Sequence, residues 1–100
     1  MMSLALRLTR KSSHRRHALA AVVVRGGAVL SVAANGPRKG QCAERRSLRR
    51  GLDGATMYVA RSNGRCSKPC ADCRVAIARA GIDAVWFIDA DGQRAIWRVR

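Results

Sequence analysis

Four cysteines stand at positions 42, 66, 70 and 73. Three of them crowd into eight residues, where a disulfide framework would spread its staples more widely. Metal binding is the better reading. Cys70 and Cys73 follow Pro69 at what reads as the opening of a helix, so both thiols project from one face of its first turn, where unpaired backbone N–H groups favour the thiolate. Cys42 opens another helix, and two helices lying side by side across a sheet would bring a third thiolate to the same point. Three sulfur ligands leave Zn2+ one open position, the catalytic pattern in which bound water is acidified near neutral pH. Glu44, two residues beyond Cys42, would reach the same cleft without touching the metal, and a carboxylate there can move protons.

The elements that must position these residues are legible as an alternation of strands and helices. Residues 2–10 carry Leu4, Ala5 and Leu8 at helical spacing, and 1–16 together form a basic N-terminal helix or tail. Leu19 to Val24 is β-branched and apolar, Gly26-Gly27 marks a two-residue turn, and Ala28 to Ala34 completes a hairpin. Asn35-Gly36-Pro37 breaks the second strand, and the Arg38-Lys39-Gly40 loop leads to a helix from about Cys42 to Arg50, closed by Gly51. Residues 55–61 read as a third strand, 70–80 as a helix stopped by Gly81, and 84–88 as a fourth strand. Only a few residues around Asp89-Ala90-Asp91-Gly92 precede the strand at 95–99. A parallel crossover needs about a dozen, so that last strand must return antiparallel. The expected fold is α/β, a mixed sheet of about five strands with helices on its faces, in one domain spanning 1–100.

Composition narrows the choice of partner. The chain has 100 residues and a formal charge of +14, with 48% hydrophobic and only 4% aromatic residues. That is one modest core filled by Ala, Val, Leu and Ile, too apolar for a disordered basic tail and too short for a multidomain enzyme. Twelve basic side chains and one acidic one lie in residues 1–50, against eight and five in 51–100. Nucleic acid, nucleotides and acidic membranes all suit such a surface. The longest clean apolar run, Ala18 to Val24, is far short of the roughly 20 residues that span a bilayer. No membrane partner is expected. Residues 1–41 contain no acid and imitate a targeting segment. Cleavage after 17–24 would remove a stretch that reads better as a strand, so a cytoplasmic location is expected.

Cys42-Ala43-Glu44 and Pro69-Cys70-Ala71-Asp72-Cys73, each at a helix start, resemble the zinc-dependent cytidine/deoxycytidylate deaminase superfamily. Cys42-Ala43-Glu44-Arg45 is similar to the string in free-nucleoside cytidine deaminases, as is Ser67 to Arg74. The stretch from Val24 to Pro37 looks more like small bacterial and phage deoxycytidylate-deaminase-like proteins. The likeness spans roughly residues 17–99 and implies a cytidine deaminase-like α/β/α sandwich. It also implies Zn2+ held by Cys42, Cys70 and Cys73, with Glu44 as proton shuttle. The substrate would be cytidine, deoxycytidine or a monophosphate such as dCMP, converted hydrolytically to its uracil form. The Ala43 N–H matches the family's donor to the ring carbonyl, and the Lys68 carbonyl its acceptor for the exocyclic amine. Asn35 matches the residue that touches the sugar hydroxyl. Relatives of this kind are homo-oligomers. Three thiolates on one Zn2+ leave a net negative charge, and the guanidinium of Arg45 can offset it.

The pattern also departs from the family. The basic run at 38–40 replaces a sugar-binding carboxylate and suits phosphate better than bare ribose. Cys42 stands where many nucleotide and tRNA deaminases carry His. Trp86, Phe87 and Trp97 are the aromatic candidates for capping a substrate. Plainer readings stand beside these. Cys66 can join the other three cysteines in a structural four-cysteine site, or be a loop thiol. Glu44 can be an ordinary first-turn acid. His14 and His17 have no partner at metal spacing. Asn35 suits a left-handed turn before Gly36, and Arg46, Arg49 and Arg50 form a solvated helix face. Two other functions stay open: a deaminase of nucleic-acid cytosine or adenine, for which the charge argues, and a noncatalytic zinc-stabilised nucleic-acid-binding module.

Overall fold

The structure is a computed structural model that describes residues 2–11, 18–36, 42–61 and 67–99. In chain order the elements are α1 (Met2–Leu8), a short 3-10 turn (Thr9–Lys11), β1 (Leu19–Arg25), β2 (Ala28–Ala34), α2 (Ala43–Ser47), β3 (Thr56–Arg61), α3 (Ala71–Arg79), β4 (Ala84–Ile88) and β5 (Arg94–Arg98). The five strands form one sheet in the order β2-β1-β3-β4-β5. β1 runs antiparallel to both β2 and β3, β3 and β4 are parallel, and β5 returns antiparallel to β4. The expected return of the last strand is thus present. The Asp89 carboxylate shapes its turn by accepting from the backbone N–H groups of Asp91 and Gln93.

The hairpin turn at Gly26 and Gly27 takes positive φ at both residues, +58° and +81°, a conformation that glycine adopts without a Cβ penalty. β1 is an interior strand, and its run Ala20 to Val23 is fully buried, which explains why that stretch is continuously apolar rather than alternating.

Helices cover both faces. On one side α2 and α3 bury Ala21, Val23, Met57, Val59, Ile77 and Val85 in the larger core. On the other, α1 seats Met2 and Ala5 against Val22 and Ala60. Alternate residues of β1 and β3 feed the two cores, as the two-residue repeat of a strand requires.

Two helices are shorter than the sequence suggests. The helix expected over 42–50 ends at Ser47, and Leu48 is already extended. Tertiary hydrogen bonds stop it. The Ser47 carbonyl, which a further turn would use, accepts instead from the Ser31 hydroxyl at 2.6 Å. The helix expected over 2–10 gives way to the 3-10 turn after Leu8.

Candidate metal centre

Two helix starts build the centre. Cys42 precedes α2 and Cys70 precedes α3, each with extended backbone and neither spending its side chain on a helix cap. Cys73 lies in the first turn of α3 and is wholly buried, whereas Cys70 is exposed and Cys42 half-buried. The three Sγ atoms lie within 4.8 Å of one another. Zinc–sulfur bonds of ~2.3 Å at tetrahedral angles place ligand sulfurs about 3.8 Å apart, so a small closure suffices to hold an ion. A soft, all-sulfur donor set of this size suits Zn2+.

Glu44 is 5% exposed, and its Oε1 is buried without a hydrogen-bond partner. Burial pushes its pKa above the ordinary carboxylate value, against the opposing pull of a backbone hydrogen bond. A buried carboxylate oxygen without a partner is uncommon and marks a place where some other group is to be met. Cys73 is affected as well. Burial pushes its thiol well above the usual range, and the charge of Glu44 and contacts from the Cys70 and Cys42 sulfurs add to the shift. Burial thus opposes the preference for the thiolate that the helix start gives Cys73, and a bound cation would favour loss of its proton.

Serines set these two helix starts in place. Ser47 Oγ donates to the Glu44 carbonyl at 2.6 Å, and Ser31 Oγ donates in turn to the Ser47 carbonyl, so α2 is tied to β2 from within the core. Arg46 adds a bond from its guanidinium to the Ala34 carbonyl at 3.0 Å, so it is not merely a solvated face. Arg49 and Arg50 are exposed beyond the end of α2. Ser67, buried, donates to the Val59 carbonyl at 2.8 Å and accepts from the Ile88 N–H at 2.9 Å. It clamps the segment entering α3 to β3 and β4, three residues before Cys70. Sequence reasoning assigned no role to Ser31, Ser47 or Ser67. The available signal was Ser31, the one polar residue in the apolar run of β2.

The other expected residues fall as follows. Ala43 is buried at the start of α2, where a first-turn N–H has no acceptor within its own helix. Lys68 is exposed on the approach to α3, and Arg45 is exposed within α2. Asn35 is buried just after β2, and its Oδ1 accepts from the Leu19 N–H at 3.0 Å while its own N–H bonds the Leu19 carbonyl. It extends the β1–β2 pairing rather than forming a left-handed turn, and no described non-glycine residue has positive φ.

The aromatic candidates separate. Phe87 is buried, and Trp97 packs on the α2–α3 core with the Arg74 guanidinium 5.7 Å above its ring. Trp86 lies on the opposite face, half-buried beside the α1 cluster, so the sheet separates it from the sulfur cluster. His14, His17, the 38–40 loop and Cys66 lie outside the described residues. Among the described residues no helix is long and apolar enough to cross a membrane.

Comparison with known proteins agrees with this geometry. The family model for the cytidine and deoxycytidylate deaminase zinc-binding region matches residues 1–89. No curated protein matches. Among solved structures, the apo dCMP deaminase of the cyanophage S-TIM5 is 26% identical with a TM-score of 0.71, covering 91% of this chain and 82% of its own. The same enzyme in complex with dCMP and dUMP is matched at 23% identity, with a TM-score of 0.73 and the same coverage. The cytidine deaminase of Burkholderia pseudomallei is 18% identical with a TM-score of 0.75, covering 98% of this chain and 89% of its own. The family model spans both cysteine motifs. The chain accordingly belongs to the zinc-binding cytidine and deoxycytidylate deaminases.

Proposed function

We propose that the protein is a hydrolytic deaminase that converts a cytosine nucleoside or nucleotide, namely cytidine, deoxycytidine or dCMP, to its uracil form. The observation that carries this reading is the buried Glu44 carboxylate, one of whose oxygens has no hydrogen-bond partner, close to three converging cysteine sulfurs. A merely structural metal site has no use for it. In the proposed site Cys42, Cys70 and Cys73 hold Zn2+, and the chemistry that ion supplies when bound is the acidification of water near neutral pH. In the net reaction water replaces the 4-amino group of the ring and ammonia leaves. Glu44 takes a proton from the attacking water, delivers it to N3, and then assists the departure of the amine. Burial moves its pKa upward, the direction that favours holding a proton between transfers.

The Ala43 N–H donates to the ring carbonyl, and the Lys68 carbonyl accepts from the amine that will leave. Asn35, anchored through Oδ1 to Leu19, is the residue we assign to the sugar hydroxyl. Arg45 offsets the surplus negative charge of a three-thiolate site. The residues 38–40, Arg-Lys-Gly, favour a phosphorylated substrate, and the dCMP complex of the phage neighbour points the same way. We take 1–100 as a single domain that assembles into homo-oligomers.

The test incubates zinc-loaded protein with cytidine, deoxycytidine, their monophosphates, adenosine and single-stranded DNA, and follows ammonia and the deaminated product by mass. Deamination of a cytosine mononucleoside or mononucleotide is expected. Glu44→Ala should abolish it while one zinc per chain stays bound. Zinc retention with no activity on any substrate in the parent protein identifies a noncatalytic module instead.

A further inference from the structure

The side of the sheet away from α2 and α3 is only half covered. α1 packs on β1 and β3, and its cluster borders Tyr58 and Trp86, which leaves the outer part of that face, toward the β5 edge, without a helix among the described residues. Tyr58 pairs with Trp86 and Trp86 with Ile96, so these three side chains form one row across β3, β4 and β5. Arg94 and Arg98 lie two residues to either side of Ile96 on β5 and therefore share its face. Both arginines are exposed, while Tyr58, Trp86 and Ile96 are half-buried. A groove of about 240 Å3 opens between Met2, Tyr58, Trp86 and Arg94. A second of about 210 Å3 adjoins it and includes Arg61 and Ile88. Among the described residues no acidic side chain lines either groove.

The geometry points to a binding platform for single-stranded nucleic acid on this face: bases stack on Trp86 and Tyr58 while Arg94 and Arg98 meet the backbone phosphates. Aromatic side chains presented on strands accept unstacked bases of any identity, and neighbouring guanidinium groups supply both phosphate contacts and cation–π attraction. The +14 charge of the chain adds long-range attraction. That charge also argues against a second copy as the occupant, since a two-fold contact on this face would bring the exposed arginines of both copies into one interface. The platform lies across the sheet from the sulfur cluster and does not depend on the deaminase reading.

The test titrates fluorescein-labelled decathymidylate and decauridylate with the zinc-loaded full chain over a range of salt. Arg94→Glu/Arg98→Glu is the first variant, because both side chains are exposed and their loss leaves the cores intact. It is expected to weaken binding tenfold or more and, with two phosphate contacts gone, to lower the salt slope by about 1.4. Deamination of a mononucleoside should be unchanged. Trp97→Phe leaves Trp86 as the sole tryptophan, and its emission should be quenched on adding the oligonucleotide. Three results would overturn the platform: no oligonucleotide binding, binding with parental affinity and salt slope in the double variant, or Trp86 emission that responds only to protein concentration. The last would assign the face to self-association.

Discussion

Glu44 and Cys73 are coupled across the seam between α2 and α3: the thiol is buried, and the neighbouring carboxylate charge raises its pKa further. The carboxylate is itself pushed up by burial, with one oxygen unpartnered. In metal-free protein the folded state therefore binds the Glu44 proton more tightly than the unfolded chain does. The associated stability is complete below the ordinary carboxylate range and is lost as pH rises through the raised folded value. Glu44→Gln cannot ionise. We expect the metal-free variant to be more stable than the parent at pH 8, by ~1–3 kcal/mol. The advantage should close as the pH approaches 4, as followed by urea denaturation of chelator-treated protein. A parent that is the more stable at pH 8 would contradict this account.

Zinc uptake has to displace the proton that Cys73 holds. Binding at pH 7 is expected to release protons, and affinity to rise with pH, which calorimetry in buffers of different ionisation enthalpy will register. Cys73→Ser should lose the metal. Cys66→Ser should keep one zinc per chain; its loss there would make the site a four-sulfur one and remove the open position.

Ser67 carries two hydrogen bonds from a buried position. Ser67→Ala leaves the Val59 carbonyl and the Ile88 N–H without that partner, at a cost of ~1–3 kcal/mol. It also loosens the segment that leads into Cys70. Lower thermal stability together with weaker zinc affinity is the expected pair of effects. Stability lost with zinc affinity intact would show that the clamp does not position the ligand.

Gly81 ends α3 at φ +85°, and a Cβ added there would clash with Asp53, whose own Cα lies 3.2 Å from it. Gly51 has φ +81° with open space around it. Gly51→Ala therefore costs only the backbone strain, ~1–2 kcal/mol. Gly81→Ala adds displacement of Asp53 and of the neighbouring Gly54 N–H to Gly81 carbonyl bond. The melting temperature should fall roughly 5–10 °C for Gly51→Ala and clearly further for Gly81→Ala. Equal losses would mean that Asp53 moves aside freely.

Local signals carried far in this chain. The Gly-Gly hairpin, the strand-helix alternation and the short Asp89–Gly92 return are short-range features, set by steric rules on a few neighbouring residues, and they account for the five strands, the hairpin and the antiparallel last strand, though not for the strand order. The spacing of Cys70 and Cys73 likewise needs only one helical turn. What lay beyond local reasoning depends on partners distant in the chain. α2 ends at Ser47 because Ser31, sixteen residues earlier, takes its carbonyl. Arg46 caps the end of β2 rather than facing only water.

Residue types and their spacing determined by themselves that three cysteines and one glutamate could share chemistry, because ligand softness and helical periodicity are properties of the chain. Only the tertiary structure decided that the sulfurs converge within 4.8 Å and that burial raises the pKa of the Cys73 thiol. It also sent Trp86 to the far side of the sheet. Burial and electrostatic coupling are sums over every neighbour that folding brings in, and no window of sequence contains those neighbours.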